Sequence, residues 1–303
     1  MLLLKLIKRN ILVYSRDRAN IFFSLLSMLI IIGLMVVFLG KMNADSVVSL
    51  LNEYGGVRDS VVDQANAEQL VMMWTLAGIV VVNSITITLM MVGIMVDDEE
   101  RKRLSSFYVS PVNRNIFVLG YIVAAIIMGI IMCSLTVVIG EVYIAATGGA
   151  VLSVAQMGKT VLYIVLNVFT SASMVFLIAN FIHSVSAFSG LSTILGTLVG
   201  FLAAIYLPMG MLPEKLQDAL KCFPLVHGCS LMREIFTAEI VQKTFADCPE
   251  ELIDGYKKYM GISMYFGDKA VTDVNKVVIL VISGIIFIGI ATILQRRRNV
   301  MSR

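Results

Sequence analysis

Formal charge is scarce in this chain, and the uncharged residues lie in long runs. Only 15% of the residues are Asp, Glu, Lys or Arg, and the mean hydropathy is +0.88. Roughly 25% charged residues is typical of a soluble globular domain. The 54 residues between Lys159 and Glu214 carry no formal charge at all. This composition excludes an ordinary soluble domain and predicts a membrane protein.

Five uncharged runs are long enough to cross a bilayer, which takes roughly 20 helical residues. The 54-residue run is long enough for two crossings. The runs are continuous rather than alternating, and only helices or closed barrels satisfy their backbone hydrogen bonds in lipid. The predicted fold class is therefore an all-α polytopic membrane protein with six transmembrane helices. The expected spans are 19–40, 70–96, 116–140, 159–182, 186–207 and 275–295.

The chain also lacks a recognisable set of catalytic residues. There are only two histidines, and neither has a carboxylate or serine constellation near it in sequence. The sequence at 157–160 ends like a phosphate-binding loop, but the motif needs a glycine where the chain has Ser153. We therefore predict no catalytic residue, metal site, cofactor or nucleotide site in this chain, and no nucleic-acid partner.

Ionisable side chains are nearly absent from the predicted spans, although ion-coupled carriers usually keep some at membrane depth. Glu141, at one end of the third span, is expected to be interfacial. Uncharged polar residues in the second and fourth spans could line a transport pathway or form hydrogen bonds between helices. The candidates for the pathway are Asn83, Thr86, Asn167 and Ser171.

Two further patterns leave alternatives open. Cys222 and Cys229 could form a disulfide if their loop faces an oxidising compartment, and two thiols are the alternative. Gly196 and Gly200 form a small-xxx-small pattern, which favours packing within the chain over dimerisation.

Basic residues predict the orientation of the chain. Segments 1–18, 97–115 and 296–303 together hold 13 of the 24 Lys and Arg residues. Both termini are therefore predicted to be cytoplasmic, with loops 41–69 and 208–274 outside. The first span begins after a basic segment and is too long for a signal sequence, so we expect it to stay in the membrane.

The segment 1–18 predicts an amphipathic helix. Leu3, Ile7, Ile11 and Tyr14 fall at helical spacing, and most of the basic residues lie elsewhere on the helix. Such a helix suits the inner leaflet, where it would contact anionic lipid. The alternative is a basic flank that only sets the topology.

The two outer loops differ in character. The loop 41–69 is polar and acidic, and we expect a solvated connector. In loop 208–274, Pro213 can open a helix, Pro224 interrupts it, a second helical segment follows over 226–242, and Pro249 marks another helix start. The first two helices could form a re-entrant or interfacial hairpin in the outer leaflet.

Segment 97–115 is the most informative loop. An acidic and basic cluster precedes Leu104, Phe107 and Tyr108, which are spaced for one helical face, and Ser110-Pro111 then breaks the helix. Apolar residues on a short charged helix suit docking into a groove of a partner. A loop lying on the membrane surface is the alternative.

This segment resembles the coupling loop of type-2 ATP-binding-cassette (ABC) exporter permeases. Glu100 and Leu104 lie eleven and seven residues before Pro111, as in that pattern, and Ser110-Pro111-Val112 matches its break. Lys102-Arg103 stands where the family pattern has Gly-Thr.

The likeness extends along the chain. The family has a basic amphipathic first helix, six spans, cytoplasmic ends and an outer re-entrant hairpin with Leu-Pro and a later Pro. This sequence has Leu207-Pro208, Leu212-Pro213 and Phe223-Pro224 in the corresponding region.

The resemblance implies a single transmembrane domain over 1–303, in the plasma membrane, that serves as the permease subunit of an ATP-driven exporter. A separate cytoplasmic ATPase would bind ATP and Mg²⁺, and a second permease chain, identical or similar, would complete the pathway. The residues implied in coupling to the ATPase are Glu100, Leu104, Phe107, Tyr108 and Pro111. The weakly polar spans favour an amphipathic or hydrophobic cargo, such as a peptide, an antibiotic or a drug-like molecule. The alternatives are an ATP-independent carrier or channel, and a membrane-anchored binding or signalling protein that uses loop 208–274.

Overall fold

The computed structural model is almost entirely helical. It describes residues 2–19, 21–22, 26, 29–30, 33, 40–54, 59–103, 114–202, 207–267 and 269–301. Within these ranges lie ten α-helices: α1 Leu2–Arg16, α2 Gly40–Tyr54, α3 Ser60–Glu100, α4 Arg114–Ala146, α5 Val154–Ala179, α6 Val185–Leu202, α7 Glu214–Lys221, α8 Pro224–Thr244, α9 Glu250–Tyr259 and α10 Asp273–Met301. A 3-10 helix spans Met209–Met211, and the strands β1 Tyr265–Phe266 and β2 Lys269–Ala270 pair antiparallel.

Helix α3 is the centre of the bundle. Its side chains are mostly buried from Leu70 to Val96, and α4, α5, α6 and α8 pack around it. Helix α2 packs against α3, and α1 lies across α4 and α3. A helix that is apolar on every side is stable only when it is surrounded, which explains its central position.

Four of the described helices are long and apolar enough to cross a membrane. They are Ser60–Glu100, Ile116–Ala146, Val154–Ala179 and Asp273–Leu294. They correspond to the predicted spans 70–96, 116–140, 159–182 and 275–295. The run 186–207 forms the shorter apolar helix α6, and most of 19–40 lies outside the described residues. The count of six spans therefore stays a prediction.

The predicted solvated connector 41–69 is largely helical instead. It contains α2 and the first turns of α3. The Asp59 carboxylate accepts a hydrogen bond from the Val61 N–H at 2.9 Å, and Asp63 lies in the first turn. Acidic groups at a helix start satisfy free N–H groups and favour the helix dipole, so the polar sequence extends α3 beyond the apolar run.

Prolines divide the region 208–274 into helices at the predicted places. Pro213 and Pro249 immediately precede α7 and α9, and Pro224 is the first residue of α8. Proline has no N–H to donate, so the first turn of a helix tolerates it.

Helix α8 runs antiparallel to α5. Near its beginning, Gly228 lies so close to Asn167 that any Cβ there would overlap the amide. Further along, Ile240 lines one small crevice with Leu152 and Gln156, at the start of α5. Helix α8 thus begins beside the middle of α5 and ends beside its amino terminus.

Charged side chains connect α8 to α10 and to α3. The Lys276 ammonium, fully buried at the start of α10, lies 2.6 Å from Glu234 Oε1 and 3.3 Å from Asp273 Oδ1. The Arg233 guanidinium lies 4.0 Å from the centre of the Trp74 ring on α3.

Candidate coupling site at the carboxyl end of α3

The last turn of α3 carries four acidic residues in succession, Asp97 to Glu100, and leads through 101–103 into 104–113. Carboxylates at a helix carboxyl end face the negative end of the helix dipole, so nearby cations are needed. Asp97 has two such partners, with Arg101 Nε at 2.7 Å and Arg103 Nη1 at 3.2 Å.

Helix α3 ends in a Schellman motif. The Arg103 N–H donates to Asp98 O at 3.0 Å, and the Lys102 N–H donates to Glu99 O at 3.1 Å. Lys102 has a φ of 52°, in the left-handed region that glycine adopts without steric cost. Lys102 is also the position at which the exporter pattern has glycine, so the backbone conformation expected of that glycine is present here with a lysine side chain.

Asp98 joins three elements through one fully buried carboxylate. The Arg9 guanidinium of α1 pairs with both of its oxygens, with Nη2 at 2.9 Å from Oδ1. The Tyr121 hydroxyl of α4 donates to Oδ2 at 2.6 Å, and Arg103 Nη1 lies 3.3 Å from Oδ1. Two-pronged arginine–carboxylate pairs fix orientation as well as distance. The Asp98 carboxylate raises the pKa of Arg9 above its usual range.

Helix α1 reaches this carboxylate because one of its faces packs on α4. Asn10 and Tyr14 are buried on that face, and the Leu6 side chain lies against Gly120. Lys5, Lys8 and Arg16 are exposed, as the amphipathic pattern predicted. The pattern grouped Arg9 with these basic residues and missed its pairing with Asp98. The sequence did contain a signal for this pairing, because Asp98 is an acidic residue just after the end of a predicted span and needs a cation nearby.

Glu100 connects α3 to α6. Its Oε2 accepts a hydrogen bond from the Val185 N–H at 3.0 Å, at the first residue of α6. The Ser184 hydroxyl accepts from the Ala187 N–H at 3.2 Å in the same turn. The other predicted coupling residues, Leu104, Phe107, Tyr108 and Pro111, lie outside the described residues, and their role stays a prediction.

Two of the predicted pathway residues, Asn83 and Ser171, form hydrogen bonds between helices of this chain. Asn83 Nδ2 donates to Thr136 Oγ1 at 2.9 Å, and Ser171 Oγ lies 2.9 Å from Ser84 Oγ. Asn167 Nδ2 donates to Tyr163 O at 2.9 Å, and Thr86 is half-buried. Interhelical hydrogen bonds in membrane proteins are each worth about 0.6 kcal/mol on average. Participation of these residues in a pathway stays a prediction.

Three other candidates are placed clearly. Glu141 lies near the end of α4 and is buried within the protein, where its Oε2 accepts from the Leu152 N–H at 2.8 Å. Its carboxylate thereby ties the end of α4 to the turn before α5. Its predicted depth, at the membrane interface, stays a prediction. Cys222 is exposed and Cys229 is buried, and no disulfide joins them in this structure.

Four long apolar helices, of which α3, α4 and α5 contact one another and α10 packs against α5, define a multi-pass α-helical membrane protein. The chain belongs to the ABC-2 type transporter family, whose model matches residues 1–237. It is thus the membrane component, or permease, of an ABC transporter, a component that typically lacks ATPase activity of its own. The match extends from α1 into α8 and includes the whole candidate coupling site. No protein of curated function matches the chain at a significant level.

Proposed function

We propose that the chain is the permease subunit of an ATP-driven exporter that works by alternating access. The observation that supports this most is the connection of the carboxyl end of α3 to α1, α4 and α6. These contacts, made by Asp98 and Glu100, lie immediately before residues 104–113. A force applied to that segment would reach three helices at once.

The force would come from a separate ATPase subunit that binds ATP and Mg²⁺. Leu104, Phe107 and Tyr108 would insert into a groove on this partner, and Pro111 would end the short docking helix. A partner shifts a conformational equilibrium only through contacts that differ between the two states. Docking that changes between the ATP-bound and nucleotide-free ATPase would meet this requirement.

In this proposal both termini and the carboxyl end of α3 would be cytoplasmic, as the distribution of basic residues predicts. The opposite end of the bundle then faces outside. Helices α7 and α8 would form a re-entrant hairpin that enters from that side. The position of α8 supports this, because it begins beside Asn167, in the middle of α5.

A second permease chain would pair with this one, and the exposed face of α6 is a candidate for the contact. A Cβ added at Gly190 or Gly196 would meet no atom within 4 Å among the described residues. The packing within the chain that was expected at Gly196 is therefore not seen in this part of the molecule. Small residues allow close approach of helices from two chains.

The cargo would be amphipathic or hydrophobic, such as a peptide, an antibiotic or a drug-like molecule. Asp, Glu, Lys and Arg are absent from the apolar stretches 70–96, 116–140 and 160–202. A strongly charged cargo would lack partners there, and the cost of an isolated charge at membrane depth is several kcal/mol, on the order of 3 or more.

Purification of the tagged chain from mild detergent tests this function. We expect an ATPase to co-purify near a one-to-one ratio, and ATP to drive uptake of a fluorescent amphipathic peptide into inside-out vesicles. A folded chain that purifies alone, in vesicles where ATP drives no uptake, contradicts the proposal. Uptake driven by an ion gradient instead would indicate a secondary carrier.

A further inference from the structure

The first turn of α6 contacts α3 at two positions, Glu100 and Gly93, on one face of α3. Glu100 Oε2 lies 3.0 Å from the Val185 nitrogen. Two turns earlier, a Cβ on Gly93 would lie only 3.1 Å from the Phe188 ring. Residues seven apart on a helix share a face, and residues three apart are neighbours on adjacent turns. The first turn of α6 therefore lies along the last two turns of α3.

Helix α6 depends on this contact for its orientation. Among the described residues, α3 is the only helix with which α6 shares an extensive contact. Ile194, Leu198 and Phe201 further along α6 are exposed in this chain. The other long apolar helices differ, since α4 and α5 each pack against several neighbours. A displacement of the carboxyl end of α3 thus reaches α6 directly.

Glu100 accepts a hydrogen bond from a backbone N–H that has no acceptor within α6. The first N–H groups of a helix have no partner within it. Ser184 caps the Ala187 N–H, and the Val185 N–H is capped from outside α6 by Glu100. A carboxylate at this place is also favoured by the positive end of the helix dipole.

We infer that Glu100 is a positioning residue that couples α3 to α6, so that a displacement of the carboxyl end of α3 moves the two helices together. Its carboxylate acts on the first turn of α6 and not on the ATPase. This inference rests on the proposed function. Glutamine at position 100 keeps an acceptor oxygen for the Val185 N–H, whereas alanine removes it.

Hydrogen exchange of the amides at 185–188 tests the inference in the purified complex with its ATPase. The complex is compared without nucleotide and after trapping with ATP and vanadate. The variants are Glu100→Ala and Glu100→Gln, with Glu99→Ala as a control that removes a neighbouring carboxylate but leaves the acceptor of the Val185 N–H in place.

We expect Glu100→Ala to exchange roughly fivefold faster at these amides, as for the loss of one helix cap. Trapping should change exchange at 185–188 in the parent, Glu100→Gln and Glu99→Ala complexes. In Glu100→Ala this change should be lost while the ATPase stays bound and hydrolyses ATP.

Other outcomes separate the two proposals. If Glu100→Ala releases the ATPase, or if trapping changes exchange at 185–188 as much as in the parent, the inference is overturned and the exporter function stands. If no ATPase co-purifies with the parent chain, the proposed function fails. Without an ATPase, the hydrogen exchange of the Val185 amide can still be compared in the Glu100→Ala and parent chains. Equal rates would show that the hydrogen bond between Glu100 and the Val185 N–H is absent, which overturns the inference as well.

Discussion

Arg9 and Asp98 are separated by 89 positions in the chain, and their side chains form a two-pronged ion pair at the carboxyl end of α3. The Asp98 side chain is fully buried, whereas the Arg9 side chain is 39% exposed. The pair therefore fixes the first helix of the protein to its central helix, at the place where the candidate coupling segment begins.

Loss of the arginine should destabilise the protein. In Arg9→Met the Asp98 carboxylate stays buried but keeps Tyr121 and Arg103 as partners. Breaking a buried ion pair costs about 3–5 kcal/mol, and the remaining partners place the expected loss near the lower end, about 3 kcal/mol. The midpoint of thermal unfolding in detergent measures this.

The neighbouring variant Lys8→Met is the matched control, since Lys8 is exposed on the same helix. We expect it to change stability by less than about 0.5 kcal/mol. The double variant Arg9→Met with Asp98→Leu should recover most of the loss, because replacing both charges with apolar groups is often neutral. A double variant as unstable as Arg9→Met would contradict the role assigned to the unpaired carboxylate.

Lys102→Gly should stabilise the protein. A non-glycine residue in the left-handed conformation costs about 1–2 kcal/mol, and Lys102 adopts it with a φ of 52°. Glycine removes that cost but loses about 0.5–1 kcal/mol through its greater freedom in the unfolded chain. The expected gain is about 0.5–1 kcal/mol, read from thermal unfolding.

Arg101→Gly is the contrasting variant, because Arg101 has a φ of −78° and gains nothing from glycine. It also loses the contact between Arg101 Nε and Asp97. We expect this variant to be less stable than the parent. If Lys102→Gly proved equally destabilising, the left-handed end of α3 would be ruled out.

The long helices could be predicted from the sequence because lipid leaves an uncharged run few alternatives to a helix. The start of α3 at Ser60 could not, since it depends on the cap made by Asp59 and on packing of α2. A hydrogen bond from Asn83 to another helix was one of the two alternatives, but its partner, Thr136, could not be predicted. It depends on how two helices are rotated about their axes, which apolar runs do not specify. At the candidate site, the resemblance to the exporter family singled out Glu100, through its spacing to Pro111. Its contact with Val185 could be seen only in the folded structure.

Close packing of α8 on α5 makes Gly228 sensitive to substitution. In Gly228→Ala the new methyl group would overlap the Asn167 side chain, and overpacking costs about 1–3 kcal/mol. Asn167→Ala should relieve this cost when the two changes are combined. Gly255→Ala is the control, because that helical glycine of α9 has open space around it and alanine favours a helix. If the two variants had the same midpoint of thermal unfolding, the close packing of Gly228 on Asn167 would be excluded.

Trp74 is the single tryptophan of the chain and reports directly on the packing of residues 224–264 against α3. Its Nε1 donates to Met260 O at 2.8 Å, and Arg233 lies over its ring. A desolvated cation–π contact is worth about 2 kcal/mol. Arg233→Met should therefore lower the unfolding midpoint and shift Trp74 emission to longer wavelength as water reaches the indole. Emission unchanged from the parent would show that this side chain does not hold the contact.

The predicted docking face on residues 104–108 can be tested by placing one charge on either side of it. On the helix predicted from the sequence, Leu104, Phe107 and Tyr108 would share one face, and Ser106 would lie on the opposite face. Leu104→Asp and Phe107→Asp would bury an unpaired carboxylate in the partner groove, which costs several kcal/mol. We expect each to reduce co-purification of the ATPase at least about tenfold, equivalent to about 1.4 kcal/mol.

Ser106→Asp should leave co-purification near the parent level. Release of the ATPase by Ser106→Asp as well would point to general disruption of the segment, and retention by Leu104→Asp and Phe107→Asp would remove this face from the interface.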